Sequence, residues 1–232
     1  MIIEKAELTE QEIQSNFSEF IKIIEKSFKG ERLERLLHMY SENELGTEAA
    51  IAPASMMEHW HLAHPGGYIQ HIMHVVKNSF GVKKLWQVAG SHIDFTDEEM
   101  IFCALHHDLG KLGDETGSYY KPQDQDWLRK KGEVYKMNPN IQYMEVTDRA
   151  VYNLQHYNVK YGWKEYLGMK LADGMYNESA EKYLKSFRPE LRLKTNLPLV
   201  IHLADYISCR AEFDTWAYPK EDRDTNPTVA PE

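Results

Sequence analysis

Apolar residues recur at helical spacing along most of this chain, and no stretch shows the sustained alternation that is typical of a half-buried strand. A capping box formed by Thr9 and Glu12 predicts the start of a first helix. A second capping box, Thr96 with Glu99, predicts a helix that ends near Gly110. The sequence therefore predicts an all-α fold, a single-domain helical bundle.

The remaining helices are predicted from the same periodicity, and they cover residues 31–45, 66–90, 145–157, 163–171 and 177–186. Pro198 is predicted to begin the last helix. Residues 112–146 are polar, aromatic and interrupted by proline and glycine, so we expect a long excursion from the core. The domain is predicted to span residues 1–218, followed by a mobile, charged tail at 219–232.

Composition narrows the class of protein further. The 232 residues, 42% of them hydrophobic, suffice for one domain with a core. A net charge of -9 argues against a surface for duplex nucleic acid. No apolar run approaches the roughly 20 residues that span a bilayer, and residues 1–10 have neither the basic start nor the apolar core of a signal peptide. We therefore expect a cytosolic protein without a membrane partner. Cys103 and Cys209 are expected to be small buried hydrophobic residues rather than a disulfide.

The stretch LHHDLGKLGD, residues 105–114, contains the first candidate metal ligands. On a helical wheel Asp108 shares the apolar side with Ala104, while His106 projects toward the polar side and His107 lies between them. A buried carboxylate needs a cationic partner. We therefore interpret His107 and Asp108 as a ligand pair and His106 as a solvated or supporting residue. The alternative is a structural pair, with a backbone-bonded imidazole and a salt-bridged carboxylate.

Two other predicted helices carry similar polar groups. His71, His74 and Asn78 form a strip at the margin of an apolar face, which suggests a lined cavity. Asp205 lies within the apolar run of the last helix. One divalent cation held by imidazoles and carboxylates from three helices would account for these groups, and such ligands suit Mn, Mg, Fe, Co, Ni or Zn.

These motifs resemble those of the HD-domain metal-dependent phosphohydrolases. HPGGYIQH is similar to the first motif of the family and contains His71. LHHDLGK is similar to the second motif and contains His107 and Asp108. HLADYIS is similar to the last motif and contains Asp205. The similarity spans roughly residues 60–212. It implies a helical metal-site core, with these four residues as metal ligands. It also implies hydrolysis of a phosphomonoester, diester or anhydride, most often in a nucleotide.

The chain departs from the pattern of two-metal members. His156 is the only histidine between Asp108 and His202, and some relatives have HDG where this chain reads Ala172-Asp173-Gly174. This departure leaves three options: a one-metal site, a site completed by Asp173 or His156, or a weakened enzyme. The alternatives to a phosphohydrolase are an HD-scaffold diiron oxygenase, which needs more ligands, and a metal-binding module with weak or no activity.

Asp108 and Lys111 are the predicted catalytic residues. Lys111 can reach a phosphate, although a cation at a helix C-terminus is also favoured by the helix dipole alone. In the excursion, Tyr120, Lys121 and Arg129 combine aromatic rings with positive charge, which suits a nucleotide, and the alternative is an ordinary solvated face. The expected partner is a small phosphorylated molecule, and the sequence leaves a homo-oligomer open.

Overall fold

The computed structural model describes residues 8–186 and 188–218, and this part of the chain is mostly helical. The helices are α1 (Glu10–Ser27), α2 (Gly30–Met39), α3 (Gly46–Ile51), α4 (Gly67–Val88), α5 (Asp97–His106), α6 (Asp126–Arg129), α7 (Val146–His156), α8 (Trp163–Lys170), α9 (Glu178–Leu184) and α10 (Leu197–Ala217). Two short strands, β1 (Tyr120–Pro122) and β2 (Tyr135–Met137), pair antiparallel. The all-α prediction is confirmed.

Most helices form where their local signals predict them. The Thr9 hydroxyl caps α1 and the Thr96 hydroxyl caps α5, and in both cases the glutamate three residues later bonds back to the cap. Helix α3 was not predicted, because six residues are too few to show a period. The predicted tail, 219–232, and residues 1–7 of the predicted domain lie outside the described residues.

The core is built around the two long helices α4 and α10, which pack against each other, with α5 and α8 completing the group. Their facing sides carry fully buried apolar residues, among them Ile72, Leu105, Met169 and Val200. Burial of this face stabilises the group by roughly 25 cal/mol for each Å² of apolar surface removed from water. None of the described helices has the length and apolarity needed to cross a membrane.

Helix α5 ends at His106, earlier than predicted, and a 3-10 turn follows at Leu109–Leu112. The turn packs against the start of α7, because Gly110 approaches the backbone there closely. A Cβ added to Gly110 would lie 2.1 Å from the Val146 carbonyl oxygen. His107 is the C-cap of α5, and the change of direction after it places Asp108 3.5 Å from His71 of α4 and brings Lys111 beside Asp108.

The excursion over residues 112–146 contains the hairpin of β1 and β2, with α6 between the strands. It is joined to the segment before α4, since Met57 pairs with Glu133 and the Val134 N–H donates to the Met56 carbonyl. The hairpin is therefore attached to the segment of residues 54–61.

Candidate metal centre

The four predicted ligands meet between α4, α5 and α10. His71 Nε2 lies 3.5 Å from Asp108 Oδ2 and 3.2 Å from Asp205 Oδ1. His107 Nε2 lies 3.7 Å and 3.8 Å from the same two oxygens. His71, His107 and Asp108 each place a ligand atom within 4.8 Å of the other two. This group of buried side chains could hold a metal ion.

The imidazoles of His71 and His107 are oriented so that Nε2 of each ring faces the Asp108 and Asp205 carboxylates. His71 Nδ1 donates to Glu212 Oε2 at 3.0 Å, and His107 Nδ1 donates to the Ala104 carbonyl at 3.0 Å. Each Nε2 atom is buried, and neither has a properly aligned hydrogen bond within the described part of the chain. Two buried nitrogens without such a bond, beside two carboxylates, fit the ligand set of a divalent cation.

Burial and mutual attraction act against each other in this cluster. Burial disfavours the charged form of His71, but the neighbouring Glu212 and Asp205 carboxylates outweigh it and raise the His71 pKa to about 10. Burial would likewise raise the pKa of Asp205, yet His107 and His71 hold that pKa well below its ordinary value. Positive charge at this point is therefore strongly favoured, and a divalent cation would supply it while displacing the imidazole protons.

Lys111 is part of the same cluster rather than a free surface cation. Its Nζ lies 2.6 Å from Asp108 Oδ2 and donates to the Ala54 carbonyl at 2.9 Å. Burial would lower the Lys111 pKa, but the Asp108 carboxylate raises it above the ordinary value, so the side chain stays cationic. Two of its three N–H donors serve these contacts, which leaves one for a ligand in the adjoining cavity.

Glu212 supports the cluster and was not predicted. Its side chain is almost fully buried and accepts hydrogen bonds from His71 and, at 2.7 Å, from His74 Nδ1. The strip of His71, His74 and Asn78 thus faces α10 rather than a cavity, and the Asn78 amide donates to Ser208 Oγ. The spacing of seven residues between Asp205 and Glu212 on one helix face is the sequence signal that could have revealed Glu212.

Of the two alternatives predicted for His106, a solvated or a supporting residue, the solvated one is wrong. His106 is fully buried, its Nδ1 donates to the Phe102 carbonyl at 2.7 Å, and its ring packs beside those of Phe102 and Tyr40. The helical wheel failed because nearly every side of α5 is buried, so a residue on its polar side is not exposed to solvent there. Burial lowers the His106 pKa to about 3, which makes it a neutral core residue.

Asp173 and His156 occupy different environments. Asp173 lines the same cavity as Asp108 and Asp205, and burial together with the Asp108 charge raises its pKa. Gly174 beside it has φ +57, and an added Cβ would lie 2.2 Å from the His202 ring. His156 instead lies on α7, with its Nδ1 4.0 Å from Glu115 Oε2.

A cavity of about 1210 Å³ opens above the cluster. Its walls come from residues 54–61, the excursion, residues 173–182 and α10, and Asp108, Lys111 and Asp205 line it. Of the predicted substrate-binding residues, Lys111 and Tyr120 line this cavity, and Lys121 and Arg129 do not. Lys121 follows Tyr120 on a strand and so points to the opposite face, while Arg129 bonds the Gln123 carbonyl and Asp126 within the excursion.

Two further side chains of the cavity wall were not assigned from the sequence. His61 lies beside the cluster, with its ring centroid 4.9 Å from that of His71. The expectation of a buried hydrophobic cysteine is confirmed for Cys103 but is wrong for Cys209, which is only partly buried. Cys209 Sγ lies 3.4 Å from Asp205 Oδ1 and 3.9 Å from His61 Nε2. The histidine-rich stretch HWHLAHPGG was the available sequence signal for His61.

Comparisons of this chain with protein-family models, with curated proteins and with solved structures found no match.

Proposed function

We propose that this chain is a metal-dependent phosphohydrolase of the HD-domain type that acts on a phosphate ester or anhydride of a nucleotide. One observation carries the proposal. The buried Nε2 atoms of His71 and His107 face the Asp108 and Asp205 carboxylates at the floor of an open cavity, and the Lys111 ammonium lies at the same floor. Cation ligands and a fixed positive charge beside a substrate-sized space suit phosphoryl transfer.

A divalent ion held by His71, His107, Asp108 and Asp205 would polarise a phosphoryl oxygen and make water a stronger nucleophile at neutral pH. The chain itself supplies the rest. Lys111 offers its remaining N–H to a phosphoryl oxygen and offsets the negative charge that develops there. Its bonds to Asp108 and Ala54 hold the ammonium in place, so little reorganisation is needed when the substrate enters.

The nucleotide assignment rests on the upper part of the cavity. Its volume exceeds what a phosphate group alone requires. Aromatic side chains with large exposed areas line it, including Trp60, Tyr143, Tyr176 and Tyr206, and Arg210 adds a cation. Exposed aromatic rings can stack on a base, while the cation can bind a further phosphate.

The test compares Asp108→Ala with Asp97→Ala, a matched removal of an exposed carboxylate from α5. Wild-type protein and both variants are loaded with Mn²⁺, and release of phosphate and pyrophosphate is measured across nucleoside mono-, di- and triphosphates. We expect activity in the wild type and Asp97→Ala and none above background in Asp108→Ala, with the same helical content in all three by circular dichroism.

Two outcomes would contradict the proposal. Equal rates in Asp108→Ala and the wild type would remove the cluster from the reaction. Tight Mn²⁺ binding by the wild type without any hydrolysis of nucleotides or of a generic aryl phosphate would favour a binding module instead.

A further inference from the structure

A second group of ligand-type side chains adjoins the first. His61, His71, Cys209 and Glu212 each place one ligand atom within 4.8 Å of all the others. Three of them, His61, Cys209 and Glu212, are not proposed ligands of the phosphohydrolase site, although Glu212 accepts a hydrogen bond from its ligand His71. Cys209 and Glu212 follow Asp205 on one face of α10, so donor groups continue along this helix beyond the first cluster.

The second group adjoins the first and shares His71 with it. Asp108 and His107 belong to the first group alone, whereas His71 belongs to both groups. The His71 ring is 5.5 Å from the His107 ring and 4.9 Å from the His61 ring, centroid to centroid. His71 directs Nε2 to the first group and Nδ1 to Glu212. Cys209 Sγ lies 3.4 Å from Asp205 Oδ1, so the second group is next to the first along α10.

The donor atoms of this group face one another. His61 Nε2 lies 3.9 Å from Cys209 Sγ, which places a nitrogen donor beside a sulfur donor. The Glu212 carboxylate has four acceptor positions, and the bonds from His71 and His74 occupy only part of them. Cys209 would bind a cation through its sulfur as the thiolate.

We propose that His61, Cys209 and Glu212 form a second cation site that binds a borderline divalent ion such as Zn²⁺. One nitrogen, one sulfur and one oxygen donor, with access to the cavity through His61 and Cys209, match zinc sites that keep a coordination position open. Binding forms an ion–sulfur bond and releases the thiol proton to solvent. The site does not depend on the proposed hydrolysis, because none of its three donors is a ligand of the first group.

The experiment uses Co²⁺ as the probe, since cobalt bound to a thiolate gives a charge-transfer absorption that nitrogen and oxygen ligands do not give. The full chain is stripped with a chelator, titrated with Co²⁺ and followed by near-ultraviolet absorption and by bound metal per chain. The variants are Cys209→Ser, His61→Ala and Asp108→Ala. Cys103→Ser is the matched control, because Cys103 is buried in the core against Gly168.

We expect the wild type and Cys103→Ser to bind two Co²⁺ ions per chain and to show the thiolate band. Cys209→Ser is expected to bind one ion without the band, and His61→Ala to bind the second ion at least tenfold more weakly. Asp108→Ala should keep the band while it loses the other ion. This last result separates the second site from the phosphohydrolase site, because it holds whether or not the protein hydrolyses a nucleotide.

Absence of the thiolate band in the wild type at saturating Co²⁺ would overturn the proposal. A band that persists in Cys209→Ser but disappears in Cys103→Ser would overturn it as well. The same applies to a band that disappears in Asp108→Ala, since a shared single ion would then explain both groups. His61→Ala changes only a residue in the segment before α4, so it tests the site even if a core variant fails to fold.

Discussion

Oε2 of Glu212 lies 3.0 Å from Nδ1 of His71, and the two side chains are buried together between α10 and α4. The carboxylate keeps the proton on Nδ1 and so leaves Nε2 to face Asp108 and Asp205. Carboxylates behind ligand histidines typically contribute 10- to 100-fold to metal affinity.

Replacing Glu212 with glutamine should therefore weaken binding of Mn²⁺ by about 10- to 100-fold, because the amide keeps the shape and loses the charge. Free Mn²⁺ can be measured by electron paramagnetic resonance during a titration. Glu178→Gln is the control, since Glu178 is an exposed carboxylate at the cavity rim. Unchanged affinity in Glu212→Gln would show that His71 needs no support from α10.

Lys111 and Lys121 form a second matched pair, one at the cavity floor and one on the exposed side of β1. Lys111→Ala should lower kcat for the hydrolysed nucleotide by about 10²- to 10³-fold, because it removes a fixed donor for the developing charge. The ion should still bind, since its four proposed ligands remain. Steady-state kinetics and metal analysis check this, with Lys121→Ala expected within twofold of the wild type. Loss of the ion in Lys111→Ala would instead assign Lys111 to the support of Asp108.

Tyr120 and Arg129 both belong to the excursion, but only Tyr120 lines the cavity, so replacing each of them tests whether contact with the cavity matters. Tyr120 lines the cavity, with its hydroxyl 3.5 Å from the Ala54 carbonyl, whereas Arg129 bonds within the excursion. Tyr120→Ala should raise KM for the preferred nucleotide more than for a generic aryl phosphate, because the lost contact is with the rest of the nucleotide. Arg129→Ala should leave both KM values close to those of the wild type. A larger KM change in Arg129→Ala would show that the excursion rearranges around the substrate.

Gly110 and Gly81 differ in the space around a hypothetical methyl group. In Gly110→Ala the methyl would meet the Val146 backbone, which cannot rotate away, so we expect a loss of about 1–3 kcal/mol in the free energy of unfolding. Gly81 lies on the exposed side of α4 with nothing within 4 Å, and Gly81→Ala should stabilise by about 0.5–1 kcal/mol. Thermal unfolding measures both changes, since each kcal/mol shifts the Tm of a domain of this size by about 2–4 °C. A Gly110→Ala protein as stable as the wild type would mean that α7 shifts freely.

Most helices, and the proposal of His107, Asp108 and Asp205 as ligands, could be derived from the sequence because their signals are local, whereas His71 was chosen within its polar strip by the resemblance to a family motif. Capping boxes place Thr9 and Thr96 at the starts of α1 and α5, and each depends only on the next three residues. An acid such as Asp205 within an apolar run indicates a buried charge without any knowledge of its partner.

The partners themselves were decided by tertiary structure. Glu212 meets His71 only because α10 packs along α4, and Lys111 reaches Asp108 and Ala54 only because the chain turns after His106. The burial of His106 likewise depends on the neighbours of α5, which a wheel drawn for one helix leaves out. Contacts between residues far apart in the chain have no periodic pattern in sequence, since they arise when separate helices bury their apolar faces together.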